Sequence, residues 1–149
     1  MSFRLALGIA AVLLMFHAKP AAAVDATTPV PAPDSLTLDL GKADFRTYCA
    51  ACHGVGAKGD GTVAEFLTIM AADLTQLKKK NAGLFPRERV IEVIDGRADV
   101  KVHGPRDMPV WGDWFSTEAA NDGLGKDQRE AVVTARINAL VAFLESIQE

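Results

Sequence analysis

Apolar residues recur at positions 133, 137, 140, 144 and 147, in steps of four and three, and this stripe predicts a helix over about Asp127 to Ile147. It is the longest element in the pattern. A shorter set, Val90, Ile91, Val93 and Ile94, lies between Pro86 and Asp95-Gly96. Proline at the first helical position and glycine at the stop frame it as a compact helix. Upstream, Gly41, Phe45, Cys49 and Cys52 recur at helical spacing. They predict a helix from about Leu38 or Asp39 to Cys52, ended by Gly54 and the glycines that follow. Short helical pieces are expected near 62–70 and 73–80. Residues 96–112 read as irregular, with Gly96, Gly104, Pro105, Pro109 and Gly112. There is no internal repeat.

The N-terminus carries a different pattern. Arg4, an unbroken apolar stretch from Leu5 to Phe16, and Ala21-Ala22-Ala23 have the order of an export signal over residues 1–23, with cleavage expected after Ala23. The apolar stretch is 12 residues, short of the roughly 20 that a membrane-spanning helix needs. His17 lies inside this segment and is set aside as a ligand. Residues 24–35, with Pro29, Pro31 and Pro33, read as an extended lead-in. Residues 36–149 remain for one domain with a modest core.

Charge excludes one class of partner. The full chain has 16 Lys and Arg against 19 Asp and Glu, and loss of Arg4 and Lys19 with the leader leaves 14 against 19. Such a chain is not expected to bind nucleic acid. Its charge is uneven: residues 54–106 hold nine basic and seven acidic side chains, and residues 107–149 hold three and eight. That asymmetry suits orientation in a partner's field, or is an ordinary solvated surface.

The most informative five residues are Cys49-Ala50-Ala51-Cys52-His53. Two cysteines three apart with histidine next is the spacing of covalent haem attachment. Positions i and i+3 share a helix face, so both thiols can add to vinyl groups on one porphyrin edge while the imidazole turns to iron. Three other readings weigh less. A thioredoxin-like dithiol should follow a strand, and nothing strand-like precedes Cys49. A zinc site needs about four ligands, and outside the leader there are only Cys49, Cys52, His53 and His103. A plain disulfide ignores His53. The run occurs once, which predicts one haem. The glycine-rich loop 54–61 lacks the phosphate-binding pattern and follows a helix, so close wrapping of backbone round the haem edge accounts for its glycines better.

Iron bound by His53 needs a second axial ligand, and the candidates are Met70, Met108 and His103. Met108 is preferred: it lies 55 residues beyond His53, enough chain to round the ring, and Pro109 stiffens its loop. Trp111 is placed to pack near the macrocycle. Met70, beside Ile69, reads as a core gap-filler. His103 reads first as a surface residue, with propionate partner and replacement ligand as alternatives. The choice sets the redox range, because methionine opposite histidine raises the potential.

At these residues the chain resembles the class I, single-haem bacterial cytochromes c, over essentially all of residues 38–149. Cys49-x-x-Cys52-His53 is the most specific element. Gly41-x-x-x-Phe45 is similar to the family's N-terminal helix motif, and Leu140-Val141-Ala142-Phe143-Leu144 to the last-helix segment that crosses it. Met108-Pro109 with a nearby tryptophan resembles the methionine-ligand loop. One departure is the lack of proline between Cys52 and Phe85, where many members place one to receive the imidazole hydrogen bond; a backbone carbonyl from 54–75 is expected to serve instead.

The resemblance implies an all-α bundle, with N- and C-terminal helices crossing around one covalent haem c whose iron is held by His53 and Met108. It also implies a monomeric periplasmic carrier, passing single electrons between larger redox proteins such as an oxidase, reductase or dehydrogenase, and meeting membranes only through partner complexes. Two other functions compete. A haem subunit of a periplasmic dehydrogenase or peroxidase-type enzyme would need an open iron position and a placed acid or base. A gas-ligand sensor would release Met108 to admit CO or NO.

Overall fold

The computed structural model describes residues 32–97 and 108–149. The expected leader, residues 24–31 of the lead-in, and His103 lie outside the described residues. The described chain is all α-helical, with short π and 3-10 turns and no strand among the described residues.

The first helix, α1 (Ser35–Asp44), starts three residues earlier than the apolar spacing indicates, within the last residue of the expected lead-in. Its start is set by a polar residue that a hydrophobic stripe does not register. The Asp34 carboxylate accepts the Thr37 N–H at 2.7 Å, satisfying one of the unpaired donors of the first turn. The helix then passes into a π turn, Phe45–Cys49, and on into α2 (Ala50–His53). In that turn Phe45 meets Phe143 near the end of the chain, while Tyr48 meets Trp111 and Phe115. After 3-10 turns at Ala64–Phe66 and Leu74–Gln76 come α3 (Leu77–Lys80) and α4 (Arg87–Asp95). The stretch 62–70 holds only one 3-10 turn where a longer helical piece is expected. Pro86 stands at the N-cap of α4, one residue before the position expected, and Gly96 ends the helix at φ 67°.

Next is a helix that the sequence reading left inside and beyond an irregular segment: α5 (Trp111–Asn121). Its stripe, Trp111, Phe115 and Ala119, is short and opens beside Gly112, which masks it. Finally α6 (Lys126–Ser146) falls within a residue of its expected bounds, with Val133, Ile137, Leu140 and Leu144 buried. From Ala139 to Leu144 it is buried on every side, because α1, α4 and α5 all pack on it.

The crossing of α1 and α6 is close. A Cβ placed on Gly41 would collide with the Ala139 carbonyl, lying 2.5 Å from its carbon and 3.1 Å from the Leu140 nitrogen. Phe45 and Phe143 meet alongside, ring centroids 5.3 Å apart. Gly41→Leu should therefore lower stability by about 1–3 kcal/mol through overpacking. Urea denaturation checks this, and an unchanged midpoint would mean that the contact carries no strain.

Candidate haem site

The attachment run sits where the helix changes pitch. Cys49 closes the π turn, and the Ala50 N–H donates back to the Phe45 carbonyl. Such turns are rare and gather at functional sites. Both thiols are unpaired and partly buried, so they form no disulfide. Burial first, then the neighbouring Asp44 and Cys52, pushes the Cys49 thiol up to about 12. Among the described residues, no three or more His, Cys, Asp or Glu side chains converge as a metal site.

His53 is held by the segment that folds back over it. Its Nδ1 lies 2.9 Å from the Ala72 carbonyl oxygen. A carbonyl can only accept, so Nδ1 carries the proton and Nε2 keeps a lone pair for a metal. This is the backbone partner that the missing proline required.

The helix end beneath His53 would leave its last carbonyls unpaired. The glycine-rich loop supplies donors instead: Gly59 N–H to the His53 carbonyl at 2.8 Å, Gly61 N–H to Cys52 at 3.1 Å, and Val63 N–H to Ala51 at 3.0 Å. A Cβ on Gly61 would lie 2.5 Å from the Ala51 carbonyl carbon, and one on Gly59 would strike the Ala71 carbonyl. Gly59 and Gly61 thus answer to the helix end and to residues 71–72. Gly59, at φ 82°, also needs the left-handed backbone region. The other end of the chain fixes this segment. The Gln148 amide donates to the Leu74 carbonyl at 2.8 Å and its oxygen accepts the Lys78 N–H at 2.8 Å, while the Glu149 N–H donates to Thr75 at 2.9 Å.

Met108 is partly buried and packs on the apolar core that Cys49, Tyr48 and Trp111 also border. Trp111 lies with its ring 5.7 Å from Tyr48, edge-on, and 6.1 Å from Phe115, stacked. Met70 lies past the 3-10 turn and is 88% exposed, so among the described residues it fills no gap in the core.

Sequence reasoning missed the polar joint behind Tyr48. Arg136 on α6 grips Asp44 with two hydrogen bonds, Nε at 2.9 Å and Nη2 at 2.8 Å, and gives Nη1 to Glu118 at 2.8 Å. The Tyr48 hydroxyl donates to the same Glu118 carboxylate, at 3.0 and 3.1 Å. Burial works to raise the Glu118 carboxyl, but hydrogen bonds from Arg136, Tyr48 and Trp114 prevail and hold it below its ordinary range. The partners lie 18 to 92 residues apart, so no local spacing announces them. A cavity of about 390 Å³ beside this joint is lined by Glu118, Asp122, Leu124, Val132 and Arg136 among others, and touches none of Cys49, Cys52, His53 and Met108.

These residues fit a haem. From 54 to 84 only Gly54, Ala57 and Thr75 are buried, while Val55, Phe66, Ile69, Met70 and Leu84 are more than half exposed. A large apolar group is what such a stretch lacks for a core. Beside it stand two unpaired thiols and an imidazole with a free nitrogen.

A helical fold closed by a Gly41-type crossing, around a Cys-x-x-Cys-His run, defines a class I c-type cytochrome domain. The family model described as cytochrome C oxidase, cbb3-type, subunit III matches residues 37–122, more than half of the chain, and the chain belongs to that family. The matched span takes in α1 from its third residue, the attachment run, Met108 and α5, and ends before α6. No curated protein and no solved structure matches the chain. Membership carries haem-based electron transfer with it.

Proposed function

We propose that the exported chain is a periplasmic one-electron carrier holding one haem c through thioethers at Cys49 and Cys52, with His53 and Met108 as axial ligands. The observation that carries this reading is the His53 imidazole, its Nδ1–H on the Ala72 carbonyl and its Nε2 free, one residue beyond two unpaired thiols.

Haem supplies a ferrous–ferric couple. The chain does the rest. Cys49 and Cys52 prevent dissociation, Ala72 fixes the imidazole tautomer, and the loop's hydrogen bonds to residues 51–53 keep the helix end from fraying. Met108, stiffened by Pro109, would be the second residue to hold the iron, and with both ligands kept the metal would have no place for a substrate. Fixed ligands and a dry apolar wall keep rearrangement small on each transfer.

The family's name ties relatives to a terminal oxidase, and an oxidase is accordingly the electron acceptor that we favour. A second reading, a haem subunit seated permanently on such an oxidase, draws on the same name. No described helix is long and apolar enough to cross a membrane, so that seating would rely on protein contacts or on residues outside those described. Voltammetry of the exported protein should give one reversible one-electron wave, and the reduced spectrum should be unaltered by CO. Rapid CO binding with turnover of peroxide would favour the enzyme reading instead.

A further inference from the structure

Arg136 is bound on three sides by parts of the molecule that the haem reading needs to keep in register. Asp44 closes α1, immediately ahead of the π turn that ends in Cys49. Glu118 lies on α5, the helix that begins three residues after Met108. Arg136 itself comes from α6. Its guanidinium centre sits 3.9 Å above the Phe115 ring and 5.2 Å from the Tyr48 ring centroid, so the planar group is stacked as well as hydrogen-bonded. Tyr48 completes the joint, hydroxyl on Glu118, ring edge-on to Phe115 at 5.5 Å and to Trp111 at 5.7 Å.

Tyr48 precedes Cys49 and Trp111 follows Met108 by three. The joint therefore links the helix bearing the attachment run directly to the segment bearing the proposed sixth ligand. An arginine used only for stability could sit anywhere along α6; this one bridges the two ligand-bearing segments through paired carboxylates and stacked rings. Resting on the His53/Met108 reading, we infer that Arg136, with Glu118 and Tyr48, is a positioning unit that holds the Met108 segment against the attachment helix and thereby strengthens the methionine–iron bond.

The test uses the exported, haem-loaded full chain and imidazole as the competing ligand for ferric protein. Arg136→Lys keeps a charge but loses the fork that spans Asp44 and Glu118, and Tyr48→Phe removes a single hydroxyl, so both should fold. Each should bind imidazole more tightly, about tenfold for Arg136→Lys and about threefold for Tyr48→Phe, one broken bond against several. Each should also weaken the near-infrared sulfur-to-iron band. Leu144→Ala, eight residues along α6 and about 12 Å away by helical rise, is the control: stability falls, and imidazole affinity and the band stay at wild-type values. Wild-type imidazole affinity in both joint variants, or an equal rise in Leu144→Ala, overturns the inference while leaving Met108 ligation intact. A wild-type protein without the band overturns the ligation, and the inference with it.

Discussion

Cys49→Ala combined with Cys52→Ala leaves no accumulated holoprotein on export. The reason lies in the distribution of the core. The π turn after α1 and helices α5 and α6 contribute buried Phe45, Phe115, Val133, Ile137, Leu140, Val141 and Leu144, whereas residues 54–84 bury only Gly54, Ala57 and Thr75. That stretch is organised by hydrogen bonds to the helix end and to Gln148 and Glu149, and needs an apolar group to pack against. A group bound at a thousand times its dissociation constant adds about 4.1 kcal/mol, a large share of the roughly 5–15 kcal/mol of a typical domain. A covalent link makes the contribution independent of concentration. Cys52→Ala alone should retain one thioether and a reduced yield. Haem staining after denaturing electrophoresis reads both outcomes, and full staining of the double variant would contradict attachment at this run.

Met108→Ala should have the largest spectroscopic effect. Loss of the thioether admits water or a harder ligand, abolishes the near-infrared sulfur-to-iron band and lowers the potential. A shift on the order of 0.1–0.3 V is expected, within the roughly 0.8 V that axial ligation spans across haem proteins. CO and peroxide should then react quickly with protein that had been inert to both. An unchanged band in Met108→Ala would put another sulfur on the iron, and Met70→Ala would be the variant to compare; a wild-type protein without the band would make it His103→Ala.

What the sequence made legible follows from how far apart the interacting groups are. Periodic apolar stripes gave α6 to within a residue and the buried face of α4, because burial on one side leaves its mark at 3.6-residue spacing. The attachment run is local, five consecutive residues, and could be read directly. The family resemblance supplied the α1–α6 crossing, and the structure fills it with Gly41 on Ala139 and Phe45 on Phe143. Other features had no local trace. The π turn is a backbone feature that leaves no mark in the apolar spacing. Ala72 receives His53 through a carbonyl, and any residue type at that position would offer the same oxygen. Arg136 reads as one more surface charge on a polar helix face until Asp44, 92 residues away, and Glu118 are folded against it. Helix α5 was hidden because Gly112 is its second residue and its apolar stripe is only three residues long. Met70 has an apolar local neighbourhood, and it is exposed because residues 54–84 pack on no other element of the described chain through that side.

The central claim is that Cys49, Cys52 and His53 hold one covalently bound haem. Mass spectrometry of the exported protein under denaturing conditions tests it most directly. The account predicts a single species with the mass of residues 24–149 plus one haem. A species with the bare polypeptide mass, and haem recovered in the solvent, would contradict it.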